Sequence, residues 1–299
     1  MAESPGIAGF RIAATGGAGV DWRRLDETWA LAGELGIFDA GWMSDHLSDA
    51  GRERGGPALE SFTSAAALAR RFPGWVGIAV ASNTFRHPAL TAKAATVLDN
   101  VTGGRFILGL GAGWHVGEHG AYGIPLPAPA ERFDRLESGL RVISALFSPA
   151  AGEAEGVSLD DRYWPLDRAT NLPGPVRPGG PPIWLGVGKP RGIALAARYA
   201  TGWPMPGNRP GDLAYFSELR DRLCRALETA GRDPGAFAFA AQLAWDPTLQ
   251  LTDLRKLAVA FVQAGATHVI LGLPASAAPD GLRRLATDVA VPLLEAAKR

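Results

Sequence analysis

The sequence predicts a (β/α)8, or TIM, barrel with an insertion after its fourth strand. Three observations carry this. Eight short apolar runs recur along 299 residues, each followed by a segment of helical periodicity. Strand and helix alternate throughout, and eight units suit a closed barrel better than an open doubly wound sheet of about five to seven strands. Finally, 47% of residues are hydrophobic and 20% charged, enough to bury a large core.

In chain order the strands are expected at 7–13, 38–43, 76–81, 105–111, 182–188, 202–205, 237–244 and 267–273. The fourth is the clearest, because an apolar run bounded by glycines fits a strand covered on both faces. The helices are expected at 22–35, 61–72, 89–101, 132–147, 191–199, 213–229, 251–264 and 279–297. Pro88 suits a first helical turn, and Thr252 and Asp253 are placed to cap the helix that follows. From Gly117 to Pro181 there is far more chain than one helix needs: a Pro-rich entry, a helix, a hairpin-like VSLDDRYWPL and a polyproline-like exit. We read 117–181 as an insertion over the barrel mouth, within one domain spanning 1–299.

Thirty basic residues balance thirty acidic ones, so no field favours nucleic acid or an anionic membrane. The single cysteine, Cys224, excludes an intrachain disulfide and a cysteine-based metal site. No leader or membrane-spanning run is legible, and a cytoplasmic location is the expectation.

Catalytic side chains of a barrel come from the carboxyl ends of its strands. Those ends hold Ser44-Asp45-His46, Ser82-Asn83-Thr84, Gly113-Trp114-His115 and Gly186-Val187-Gly188. His46 is the expected proton carrier, with Asp45 to orient it. GVGKPRG, from Gly186, offers backbone amides, a helix start and Lys189 to a phosphate, without the spacing of a nucleotide-hydrolysing loop. HVGEH, His115 to His119, has the spacing of an inverted zinc motif, but Gly113, Gly117 and Gly120 oppose the helix that motif needs, so no metal is expected. His115, Glu118 and His119 are instead expected as loop ligands. GLGAG fails the dinucleotide fingerprint, with Val116 at its third glycine position. Arg86 and His87 are expected to pair or cap, Arg105 to pair with Asp99, and His268 to be structural.

Residues 81–127, together with Ser44–His46 and Pro181–Trp203, resemble the luciferase-like monooxygenase superfamily, especially its branch that uses the deazaflavin coenzyme F420. The resemblance implies a ring across the mouth near His46, Ala81, Ser82 and Asn83, approached by the backbone at Gly111 and Gly113 and by Trp114. Its phosphate would lie on Gly186, Val187 and Gly188. The resemblance also implies a non-prolyl cis peptide at Ala81–Ser82, a small organic substrate and a homodimer. Some relatives carry a glutamate acid where this chain has Trp114, which passes proton transfer to His46, Glu118 or His119. Hydride transfer with F420 is the first expectation. The alternatives are an FMN-dependent monooxygenase and a cofactor-binding protein without turnover.

Overall fold

The computed structural model describes residues 4–13, 21–48, 57–248 and 250–298. Its centre is a closed parallel barrel. The chain forms β1 (Ala8–Ala13), β2 (Ala40–Met43), β3 (Trp75–Ser82) and β4 (Phe106–Gly111), then a small antiparallel hairpin, β5 (Val157–Leu159) and β6 (Leu166–Ala169). The barrel resumes with β7 (Ile183–Leu185), β8 (Gly202–Pro204), β9 (Ala238–Ala244) and β10 (His268–Pro274), and closes by pairing β10 with β1.

Two cores follow from the alternation of side chains along each strand. Phe10 of β1 points outward, against Trp29, Phe38 and Phe72, with centroids 5.2–5.4 Å apart. The inward residues form a separate cluster that includes Trp42, Trp184, Ile107, Ala240 and Ile270. Glycines make the inner cluster possible: a Cβ at Gly77 would come within 2.3 Å of the Trp42 ring, and one at Gly202 within 2.5 Å of Trp184. His268 completes this layer, accepting at Nε2 from Trp42 Nε1 at 2.9 Å and donating from Nδ1 to the Gly6 carbonyl. Burial pulls its pKa down to about 4, so it is neutral and structural, as expected.

The helices are α1 (Trp22–Leu35), α2 (Ser61–Leu68), α3 (Pro88–Thr102), α4 (Val116–Ala121), α5 (Pro129–Phe147), α6 (Pro190–Tyr199), α7 (Leu213–Thr229), α8 (Leu251–Gln263), α9 (Asp280–Leu285) and α10 (Val291–Ala296). Asp21 caps α1, and His87 caps α3 by accepting from the Ala89 amide, with Pro88 in the first turn. No helix among the described residues is long and apolar enough to cross a membrane.

Several expectations change. A π-helical turn at Ala286–Ala290 divides the last helix. Asp253 does not cap α8; it meets Lys256 at 3.2 Å. Asp99 accepts from the Arg177 amide at 3.0 Å and is not paired with Arg105. The non-prolyl cis peptide lies at Ala79–Val80, two residues before the expected bond, where the β3–β4 register shifts between Ile78 and Ala81.

The insertion is also not a single lid. Asp161 clamps the hairpin to the flank of α5 through Ser138 and Arg141, while Asn171 is tied to Thr96 Oγ1 and the Leu146 carbonyl, each at 2.9 Å. Arg177 then bonds the Gly104 carbonyl at 2.9 Å, at the foot of β4. The chain from 148 to 181 therefore packs along α5 and returns to the amino-terminal end of the barrel. The part that stays beside the strand ends is the segment around α4.

Candidate active site at the barrel mouth

α4 organises the mouth. Despite its glycines, 116–121 is helical, because His115 caps it: Nδ1 accepts from the Glu118 amide at 2.9 Å. Among the described residues no cluster could hold a metal ion.

Helix formation turns Glu118 inward, where its side chain is fully buried and accepts from His46 Nδ1 at 3.1 Å. Its other oxygen accepts from the Leu47 and Ser48 amides. Burial alone would push this carboxyl up, but the hydrogen bonds from His46 and the two amides outweigh it and leave its pKa below the ordinary value. An ionised Glu118 holds the proton on Nδ1 and leaves Nε2 as the working nitrogen of His46. The His46 side chain is 23% exposed, edge-on to Trp114 at 6.0 Å and His115 at 6.4 Å. Glu118, not Asp45, is thus its orienting partner.

Asp45 has a different task. It accepts both terminal nitrogens of Arg86, at 2.7 and 2.9 Å, together with Ser61 Oγ at 2.6 Å and the Ser82 amide at 2.9 Å. These bonds fasten the end of β2 to the end of β3 and the start of α2. Arg86 also meets Glu60, so its expected pairing role holds.

His119 is equally committed. Its Nδ1 donates to the His115 carbonyl at 2.8 Å, which makes the neutral ring's Nε2 an acceptor for Thr84 Oγ1 at 2.7 Å; Thr84 in turn meets Ser82 Oγ at 2.7 Å. Neither Glu118 nor His119 offers a free polar group to a loop ligand.

The glycines serve the protein's own side chains. A Cβ at Gly113, whose φ is +82°, would lie 2.4 Å from Thr84 Oγ1 and 2.9 Å from Ser82 Oγ. Gly111 and Gly186 flank Val80, where an added Cβ would stand 3.0 Å from its methyl carbons. Val80 thus forms an apolar platform between the two glycines, and Ala81 is buried behind it. Asn83 is buried against α5, where Gly139 leaves room for its Oδ1, so its side chain is directed away from any ring in the mouth. Trp114 is 61% exposed and stands at the rim instead of closing the site.

The turn 186–189 keeps its donors. Gly186 bonds the Leu110 carbonyl, and the Val187 carbonyl accepts from Trp203 Nε1 at 2.8 Å. No acceptor among the described residues takes the amides of Val187, Gly188 or Lys189, which precede α6. Such amides at a helix start suit a phosphate. Gly188 packs against the Tyr215 hydroxyl, which leaves no room for a larger residue.

A TIM barrel with an oriented histidine, an apolar platform and a turn of unbonded amides at its carboxyl end has the form of an enzyme site. The chain belongs to the luciferase-like monooxygenase family, whose model matches residues 6–278. Over 160 residues it is 37% identical to a phthiodiolone/phenolphthiodiolone dimycocerosates ketoreductase of Mycobacterium kansasii, covering 53% of this chain and 41% of that protein. It is 32% identical over 204 residues to an F420-dependent glucose-6-phosphate dehydrogenase of Microbacterium testaceum, covering 68% and 57%. The chain thus spans about four-tenths to six-tenths of these relatives' lengths. An F420-dependent secondary alcohol dehydrogenase has the same fold, with TM-score 0.76 and 17% identity over 97% of this chain and 99% of that one.

Proposed function

We propose that this chain is an oxidoreductase that binds the deazaflavin F420 at the barrel mouth and transfers hydride to or from a small organic substrate with a carbonyl or hydroxyl carbon. The His46–Glu118 pair carries the reading, because it supplies a histidine in a fixed tautomer, partly open to solvent, at the same end of the barrel as the apolar platform of Val80. The amides of Val187, Gly188 and Lys189 would hold the phosphate, and Val80 would support the ring. When bound, the deazaflavin supplies a carbon that accepts or donates hydride. The protein's share is the proton: as hydride leaves an alcohol carbon, the hydroxyl proton passes to His46 Nε2, and in the reverse direction Nε2 returns it to the carbonyl oxygen. Glu118 stabilises the charged imidazole. With Glu118 and His119 engaged internally, His46 alone takes the role that a glutamate has in relatives where this chain carries Trp114.

Side-by-side titration with F420 and FMN, read by ring fluorescence, tests the cofactor. Micromolar binding of F420 with weaker FMN binding is expected, followed by substrate-dependent reduction or reoxidation of the ring. Preferential FMN binding with oxygen-dependent substrate turnover would make the chain a monooxygenase instead. Tight binding without turnover would make it a cofactor-binding protein, and binding of neither would remove the reading. His46→Asn should lower turnover at least about a hundredfold and leave cofactor affinity unchanged.

A further inference from the structure

The other half of the mouth, formed by β8, β9, β10 and β1, holds a polar pair that the proton and phosphate assignments leave unused. Along β1, Phe10 faces outward, and Gly9 faces inward against His268 and Trp42. Arg11, two residues after Gly9, therefore points into the barrel one layer nearer the mouth. On β9, Ala238 and Ala240 belong to the inner cluster, and Gln242 continues that row. Between them runs β10, whose Gly272 pairs with Arg11 and carries no side chain to separate the two. A Cβ on Gly207 would lie 3.4 Å from Gln242 Oε1 and 4.0 Å from Arg11 Nη1, so both groups face one space.

Among the described residues neither group is satisfied. Arg11 Nε is enclosed and has no hydrogen-bond partner, and no carboxylate among the described residues pairs with the guanidinium. Burial pulls its pKa down to about 10. Gln242 is almost wholly buried; its Nε2 donates to the Met205 carbonyl, which fixes the amide, while Oε1 is enclosed without a donor. An unpaired cation only partly open to solvent and an enclosed acceptor in one space are costly unless a ligand completes them.

We propose that Arg11 and Gln242 form a receptor for a carboxylate and the hydroxyl beside it at the non-reacting end of the substrate, making this a site for hydroxy acids whose reacting carbonyl or hydroxyl carbon lies elsewhere in the molecule. This deepens the oxidoreductase reading and rests on it for the word substrate. The carboxylate would accept from the guanidinium, and the hydroxyl beside it, distinct from the group that exchanges a proton with His46, would donate to Gln242 Oε1. One cation matches the single charge of a carboxylate, whereas a phosphate dianion would leave charge uncompensated in an enclosed site.

The test uses the full chain without cofactor and measures thermal shift with lactate, acetate and propan-2-ol at matched ionic strength. Lactate should stabilise most, acetate less, and propan-2-ol not at all. Arg11→Met should weaken the lactate response about tenfold or more. It should melt at or above the parent temperature in chloride, since it removes a desolvated cation. Gln242→Glu should also abolish the response, because it supplies an internal carboxylate to Arg11. Equal lactate and propan-2-ol responses, or equal lactate responses in parent and variants, would overturn the receptor. F420 affinity is measured in parallel and should stay within about twofold in Arg11→Met, well below the effect of losing a charged hydrogen bond. A tenfold loss of F420 affinity with an intact lactate response would assign Arg11 to the cofactor and overturn the proposal. Lactate binding by a parent chain that binds neither F420 nor FMN would overturn the oxidoreductase reading while leaving the receptor standing.

Discussion

The two halves of the barrel mouth treat polar groups in opposite ways. On the β2–β3–β4 side, Asp45, Ser82, Thr84 and His119 are linked by hydrogen bonds, Glu118 is completed by the Leu47 and Ser48 amides, and His46 projects from that scaffold with one nitrogen engaged. Even Arg132, which keeps an unpaired Nε, is anchored through Nη1 on the Gly113 carbonyl at 2.5 Å. On the β9–β10–β1 side, Arg11 and Gln242 face the interior with open valences. Satisfied groups build a wall, and unsatisfied ones are where a ligand finds its partners. Polarity alone is therefore a poor marker of a site residue; the test is whether the protein already consumes it.

The largest effect is expected at Asp45. If it belongs to the wall, Asp45→Ala leaves the part-buried Arg86 with Glu60 alone and strands the Ser82 amide and the Ser61 hydroxyl. Removing one member of a buried pair costs about 3–5 kcal/mol, to be read from urea unfolding. A stable variant with lost turnover would move Asp45 back to the chemistry.

A second test lies one layer below Arg11, in the same half of the barrel. His268, unlike Arg11, is buried and fully paired, and burial holds its pKa near 4 against 6.5. The unfolded chain therefore binds this proton more readily. Its contribution is complete above about pH 6.5 and is lost as pH falls towards 4, by roughly 3 kcal/mol in all. Urea midpoints measured from pH 7 to 4 should show this slope, and His268→Gln should flatten it. An unchanged slope in the variant would mean other groups govern acid stability.

Glu118 distinguishes wall from site within a single residue. In Glu118→Gln the acceptor for the Leu47 and Ser48 amides can persist, but an amide nitrogen facing His46 Nδ1 favours the opposite tautomer. Turnover should fall at least about tenfold through kcat, with cofactor affinity unchanged, since tautomer and orientation are what the second partner of a histidine controls. A change confined to KM, or equal loss of cofactor binding, would show that Glu118 only shapes the rim.

Which of these groups could be read from the sequence depends on the range of the interaction. Strand and helix order followed from periodicity, and β2 and β4 reached the mouth with His46 and Gly113 because apolar runs end where polar residues begin. The partner of His46 stands 72 positions away in sequence, and no local pattern names it. A local signal for α4 did exist: His115 at the cap and Glu118 three residues on have capping-box spacing, which outweighs the glycines that argued against a helix. Arg11 also left a trace, as the one charge inside the apolar run GFRIAA. Its open valence depends on what β9 and β10 present across the barrel, which only closure reveals. The glycines misled for a related reason: the space they leave is filled by Val80, Ser82 and Thr84, from a strand whose cis bond and register shift no periodicity encodes.

The smallest effect is expected at Thr84, and it makes the sharpest test of the wall. Its hydroxyl donates to His119 Nε2 and accepts from Ser82, so Thr84→Val preserves shape while leaving one buried nitrogen and one hydroxyl without a partner. The cost should be about 1–2 kcal/mol in urea unfolding. Turnover and the pH profile should stay within twofold of the parent, since no step passes through this chain of hydroxyls. If turnover instead fell about as far as in His46→Asn, the Ser82–Thr84–His119 chain would be a proton path and not a brace. The satisfied half of the mouth would then take part in the chemistry through the very bonds that close it off.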